Sequence, residues 1–366
     1  MNYGAVLHSF AFQKILSDRG VESIVIDYVP NVLKGYNLKY PILNDCNIFS
    51  PIRFIYHLCN WSLGFKSNVR KFNKFNRFYN SYLKKTKLEY KYADLAMITS
   101  IEGMDFSTFI CESDVIWKLY DDNLFDRGFL LDFPAAKGKK KVAYAPSLGN
   151  KPFPPEQLLF FKERIAEFDV ISCREAQGAK YLSEILGSPI EWVLDPTLLL
   201  SDEDYSRLAI KPQEDNYLLI YNCMHNDQQM VHEAEKYANK VGLKVVEISN
   251  YSINKILNNH KVITDAGIEE WLGYFKYASF VVCNAFHGFC FSVLFKKEVF
   301  LFQRDDSDTR MLNITKALRL ESRLVDSLQK KIPATFNQID YDAVYVILEN
   351  LRKKSMRFIQ KHIIDY

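Results

Sequence analysis

His287 and Gly288 stand where a run of β-formers, Phe280 to Cys283, gives way after Asn284 to an apolar segment of helical length. In an open α/β sheet that junction lies at the carboxyl end of a strand, where ligands bind. First-turn N–H groups and the helix dipole favour an anion there, and an imidazole beside them can move a proton. The same residues also fit a histidine that only hydrogen-bonds a turn. Polar residues recur at other strand exits: Glu112-Ser113-Asp114 after Phe109-Ile110-Cys111, Arg174-Glu175 after Val170-Ile171-Ser172, and Asp195-Pro196-Thr197 after Trp192-Val193-Leu194. Asp195 in that setting reads as a cap for the segment that follows. His8, His225 and His260 have no visible partner and read as structural, and no His/Cys/carboxylate spacing suggests a metal site.

The elements that must position these groups alternate. A helix pattern over Val6, Leu7, Phe10, Ala11, Ile15 and Leu16 leads through Gly20 into a strand at Ser23–Tyr28. No strand precedes that helix, so the first sheet is expected to lack a member and to carry an unpaired edge. Strands then follow at Asp105–Trp117, Lys141–Gly149, Asp169–Glu175 and Glu191–Leu194, with helices at Pro155–Phe168 and up to Leu186. After a charged linker at Ser201–Asp215 a second cycle runs: strands at Tyr217–Tyr221, Lys244–Ile248, Phe280–Cys283 and Glu298–Phe302, helices at Asp227–Val241 and Ile268–Tyr277, and a terminal helix at Tyr341–Ile364. This alternation is doubly wound α/β. It predicts two Rossmann-like domains facing a cleft, residues 1–200 and 201–335, with the tail 336–366 crossing back to the first.

Composition sets the bounds. A chain of 366 residues is long for one core. With 48% hydrophobic and 25% charged residues it is ordinary for a globular protein, and a net charge of +3 gives no argument for nucleic acid. The seven cysteines include no CxxC pair and sit mostly in apolar runs, as reduced cytosolic thiols do. No apolar run reaches the roughly 20 residues of a membrane span, and no leader is visible, so the expectation is a cytoplasmic protein. Residues 31–92 break the pattern: twelve Lys/Arg face only Asp45 and Glu89, with aromatic residues interleaved. That basic helical insertion suits a peripheral contact with an anionic membrane surface or a lipid-linked phosphate, or else an amphipathic excursion packed on the first domain.

Taken together, Asn2-Tyr3-Gly4-Ala5-Val6-Leu7, Phe109-Ile110 through Ser113-Asp114 to Ile116-Trp117, Ala143-Tyr144-Ala145 with Ser147 and Gly149, Ser172 with Arg174-Glu175 and Gly178, Val193 through Thr197, and Phe286-His287-Gly288 form an ordered set. The set resembles the polysaccharide pyruvyl transferase family and spans Asn2 to about Arg323. The family usually has Gly-Ser-Asp-Gln where this chain has Glu112-Ser113-Asp114-Val115, and Asp-Ser where it has Asn284-Ala285.

The resemblance implies a fold similar to GT-B glycosyltransferases and transfer of pyruvate from phosphoenolpyruvate, as a ketal, to a sugar of a cell-surface polysaccharide or its lipid-linked precursor. No cofactor is implied, only phosphoenolpyruvate as co-substrate. Such chemistry asks for an acid, a base and receptors for a phosphate and a carboxylate. His287 is then the proton-transfer or phosphate-contact residue, Asp114 the base or the group that orients a hydroxyl. Arg174, Arg310 and the Gly288 end of its helix are the donor receptors, and Asn2, Tyr3, Glu112, Ser113, Ser147 and Asn284 line the acceptor side. Two other readings stay open: a glycosyltransferase with a nucleotide-sugar donor on the same architecture, and a non-catalytic scaffold, suggested by Glu112 and Ala285.

Overall fold

The computed structural model describes residues 1–30, 51–120, 123–149, 152–223, 225–303 and 309–365. The chain opens with helix α1 (Tyr3–Ser17), capped by Asn2, whose Oδ1 accepts from Gly4 N and Ala5 N. Strand β1 (Val25–Val29) follows, then the long helix α2 (Pro51–Tyr82), β2 (Lys85–Lys91) and the short α3 (Tyr92–Leu95). The first domain continues with β3 (Thr108–Glu112), β4 (Lys140–Tyr144), α4 (Pro155–Ile165), β5 (Val170–Cys173), α5 (Ala176–Leu186) and β6 (Glu191–Trp192). The second runs α6 (Asp202–Ser206), β7 (Tyr217–Asn222), α7 (Gln228–Val241), β8 (Lys244–Ser249), α8 (Asn254–Leu257), β9 (Lys261–Ile263), α9 (Ile268–Tyr277), β10 (Phe280–Cys283), α10 (Phe286–Leu294), β11 (Glu298–Phe302), α11 (Thr309–Ala317) and β12 (Leu324–Val325). Helix α12 (Tyr341–Ile359) follows, continued by a π-helical turn at Gln360–Ile364.

Every pairing between these strands is parallel. A four-stranded sheet has the order β3-β4-β5-β6, a six-stranded sheet the order β12-β11-β10-β7-β8-β9, and β1 and β2 form a two-stranded sheet of their own. Parallel strands are covered on both faces, so their sequences are apolar throughout rather than alternating; all six residues of β7 and all four of β10 are buried. This is an α/β fold of two parallel, helix-covered units, with the carboxyl ends of β3, β4, β5 and β10 converging on one cleft.

Three expectations need correction. The end of the 31–92 segment is not helical but forms β2, which pairs with β1 in parallel in a two-stranded sheet separate from β3–β6. Strands β9 and β12, three and two residues long, are additions at the two edges of the second sheet. The basic insertion packs on both domains rather than on the first alone: Phe78 meets Phe10 of α1 with ring centres 5.8 Å apart, and its basic residues reach acids of the second domain. In α2, Arg70 meets Asp265 at 2.6 Å, Lys74 meets Glu270 at 2.7 Å, and buried Lys71 donates to Asn250 Oδ1 at 3.0 Å. Lys34, Lys39 and Asp45 of that insertion, and Asp305, Asp306 and Asp308, lie outside the described residues.

Candidate active site

The exit of β3 is built on a strained turn. Ser113 and Asp114 both take positive φ, 47° and 55°, a region that non-glycine residues enter only when their surroundings over-determine it. Here the pins are Ser113 N to Tyr144 O (2.8 Å), Ser147 N to Asp114 O (2.8 Å), and Val115 N to Asp114 Oδ1 (2.8 Å). The turn thereby directs the Asp114 carboxylate at the start of α1, where Asn2 Nδ2 donates to Oδ2 at 3.3 Å.

Asp195 joins the strand exits. Its Oδ2 accepts from Ser113 Oγ (2.7 Å) and Arg174 Nη1 (3.0 Å) and lies 3.4 Å from His287 Nε2. Its Oδ1 accepts from Thr197 N (2.9 Å) and Thr197 Oγ1 (2.6 Å), so the residue also caps the turn at Pro196–Leu198. Burial favours the neutral acid, but His287, Arg174 and His8 outweigh it and hold the carboxyl well below its usual range. Arg174 is buried, donates from Nε to Glu175 Oε1 at 3.2 Å, and places its guanidinium carbon 4.7 Å from the centre of the Phe286 ring. Burial would weaken its charge; Glu175, Asp195 and Asp114 more than restore it and raise its pKa.

His287 sits in the first turn of α10 with its ring laid on the first turn of α1. A Cβ added to Gly4 would fall 1.9 Å from His287 Nδ1, so the imidazole occupies the space a side chain would need. The 3.4 Å approach of Nε2 to Asp195 is an ion-pair distance, and Nε2 makes no aligned hydrogen bond. His8, one turn along α1 from Gly4, stacks beside it with ring centres 6.3 Å apart. His8 Nδ1 meets both oxygens of Glu112, at 2.7 and 2.8 Å, and Ser9 Oγ donates to Oε1 of the same carboxylate at 2.8 Å. Burial lowers the basicity of His8, but Glu112, with Asp114 and Asp195 behind it, overrides that and raises its pKa from 6.5 to about 9. Asp114 follows the same logic in reverse: burial raises it, and Arg174, His8 and His287 bring it below the usual carboxylate range.

The site opens into a cleft of about 1910 Å³, lined among others by Asn2, His8, Glu112, Asp114, Arg174, Phe286, His287 and Arg310. Of the residues singled out from the sequence, these are brought together, apart from His8, which was read as structural and is instead central. Its signal was Glu112, a charge at a strand exit that needs a partner. His225 and His260 do pair away from the cleft, with Asp227 and with Glu235 and Glu247.

Three predicted lining residues and one predicted donor receptor, Gly288, lie elsewhere. Tyr3 is buried in an aromatic core, stacked on Trp271 at 5.2 Å, with its hydroxyl donating to Ala266 O. Asn284 is buried and ties the ends of β7 and β10 together, accepting from Cys223 N and donating to Asn222 Oδ1. Ser147 is buried behind the Asp114 turn. Gly288 faces the strands: a Cβ there would meet Tyr221 at 2.7 Å. Ser113 reaches the site only through Asp195. Among the described residues no group of three His, Cys, Asp or Glu is placed to hold a metal ion, and no helix is long and apolar enough to cross a membrane.

No curated protein matches the chain. Among solved structures it is similar to the apo structure of OtsA, with a TM-score of 0.42 and 11% identity over 64% of this chain and 70% of that one. It is also similar to the wall teichoic acid polymerase TagF in a variant soaked with CDPG, with a TM-score of 0.37 and 10% identity over 80% and 79% of the two chains. The model of the family described as polysaccharide pyruvyl transferase matches residues 2–306, which takes in α1, the Asp114 turn, Arg174, Asp195 and His287. The chain belongs to the polysaccharide pyruvyl transferase family, and is a transferase.

Proposed function

We propose that this transferase moves the pyruvyl group of phosphoenolpyruvate onto two hydroxyls of a sugar in a cell-surface polysaccharide or its lipid-linked precursor, closing a ketal. The observation that carries the reading is the Arg174–Asp195–His287 constellation at the mouth of the cleft, with Asp114 opposite. A small donor with two anions needs fixed cations and a proton source in one place. Arg174 and Arg310 line that place and receive the phosphate and carboxylate. His287, oriented by Asp195, delivers a proton to the methylene carbon, which becomes a methyl group and leaves cationic character on the adjacent carbon. A sugar hydroxyl attacks that carbon and gives its proton to Asp114. A second hydroxyl then attacks the same carbon, the carbon–oxygen bond to phosphate breaks, and the departing phosphate takes that hydroxyl's proton and leaves as inorganic phosphate. No cofactor enters this scheme. The acceptor is met at the cytoplasmic face of the membrane.

The test is ligand-dependent thermal stabilisation of the full chain with phosphoenolpyruvate and with a panel of nucleotide sugars. A ligand at a hundred times its Kd adds about 2.7 kcal/mol to the native state. Arg310→Ala is the companion variant and is expected to reduce the phosphoenolpyruvate shift. A shift with a nucleotide sugar alone would replace the reading with a glycosyltransferase.

A further inference from the structure

His8 is 6% exposed and lines the cleft, yet only one of its ring nitrogens is used. Nδ1 is anchored on Glu112, while Nε2 is buried with no hydrogen-bond partner. The carboxylates around it are already engaged. Glu112 at the end of β3 holds Nδ1 and Ser9, Asp114 in the following turn accepts from Asn2 and Val115, and Asp195 after β6 accepts from Ser113, Arg174 and Thr197. His287 at the head of α10 stacks alongside. A buried polar nitrogen with nothing to bond is costly, and a site that leaves one beside its reactive groups is built for a ligand atom to complete.

We propose that His8 is a second imidazole contact to the donor, its Nε2–H donating to an anionic oxygen of phosphoenolpyruvate on the side next to His287. The inference rests on the donor named above. It assigns His8 a role in binding, with Glu112 as the positioning residue that fixes the ring and its charge. The pairing explains why a carboxylate stands at the exit of β3, where a small residue would leave His8 neutral and free to turn. With its pKa raised to about 9, His8 carries the second proton at neutral pH, so Nε2 is a donor and selects anions.

The sign of the pH effect follows. Affinity through Nε2–H is full while His8 is charged and is lost as pH rises through about 9. Titration calorimetry with phosphoenolpyruvate on the full chain tests it, wild type first. The wild type is expected to weaken across that range. His8→Gln is expected to bind roughly ten- to a hundredfold more weakly near neutrality, the worth of a charged hydrogen bond, and to lose the pH limb. Glu112→Gln keeps the ring and moves the limb down toward 6.5. That variant also serves if His8→Gln does not fold. Wild-type affinity and an unmoved limb in these variants would overturn the role of His8 and leave the donor standing: His8 would then only tie α1 to β3. No binding by the wild type would overturn both, and it is seen before any variant is made.

Discussion

Gly4 is the residue on which the site turns, because the imidazole of His287 fills the place of its missing side chain. In an exposed helix, replacing Gly by Ala stabilises by about 1 kcal/mol. Here the new methyl would fall 1.9 Å from Nδ1 and 2.4 Å from Cγ of His287, so the whole ring has to move. It is hemmed in by His8 and Phe286 and cannot swing away within its own rotamer. Gly4→Ala is therefore expected to destabilise by about 1–3 kcal/mol, the usual cost of overpacking, and to cut kcat on the order of a hundredfold, the cost of a misplacement of about 1 Å. Unchanged turnover would remove His287 from the reaction. At this scale the sequence was informative about residue type and poor about reach. Asp114, Arg174 and His287 stand at strand exits, and chain order alone brings them to the cleft. Tyr3, at the head of α1, and Asn284, at the exit of β10, point into the core instead. His8 sits in the middle of an apolar helix, and only the contact with Glu112, 104 residues away, makes it a site residue.

At the scale of elements, what could be read from the chain was the local period. The boundaries of α9 and β11 and the glycine that ends α7 follow from apolar spacing and a positive φ at Gly242. The partner of α2 could not be read, because Arg70, Lys71 and Lys74 look the same from the sequence whether they face lipid phosphate or Asp265, Asn250 and Glu270. Close approach is likewise invisible. Gly273 lies in the middle of α9, where the sequence suggests a helix that alanine would improve. In the fold a Cβ at that position would lie 1.7 Å from the carbonyl oxygen of Ile210, and the same segment is tied to α9 by Ile210 N to Glu269 O at 2.9 Å. Backbone cannot rotate aside as a side chain can. Gly273→Ala is expected to destabilise by about 1–3 kcal/mol, the usual cost of overpacking, measured by urea denaturation. A stabilised variant would show that the α6–β7 connection is free to lift off α9.

At the scale of the whole molecule, α12 straps the two sheets together. It starts against the second domain, where Tyr345 donates to Leu294 O at 2.6 Å, and ends against the first, where Phe358 packs on Tyr144 and Lys140 donates to His362 O at 2.7 Å. Midway, buried Arg352 donates to Leu198 O (2.6 Å) and Leu200 O (2.7 Å), and Ser355 Oγ accepts from Leu194 N (2.9 Å). One apolar core takes in Val6 and Leu7 of α1, Phe75 and Phe78 of α2, Tyr144 and Leu194 of the first domain, Leu219, Val281 and Val299 of the second, and Leu348 and Phe358 of α12. A core shared in this way cannot be lost from one side alone, so two sheets should melt as one cooperative unit. Calorimetry is expected to give a single transition whose van't Hoff and calorimetric enthalpies agree. Arg352→Met, which leaves two buried carbonyls without their donor, is expected to lower that transition by about 2–4 kcal/mol without splitting it. Two peaks in the wild type would mean that the sheets are independent and that α12 is only a tether. The cleft between them would then open and close with the strap, and phosphoenolpyruvate would raise the second peak along with the first only by bridging His287 to Arg174.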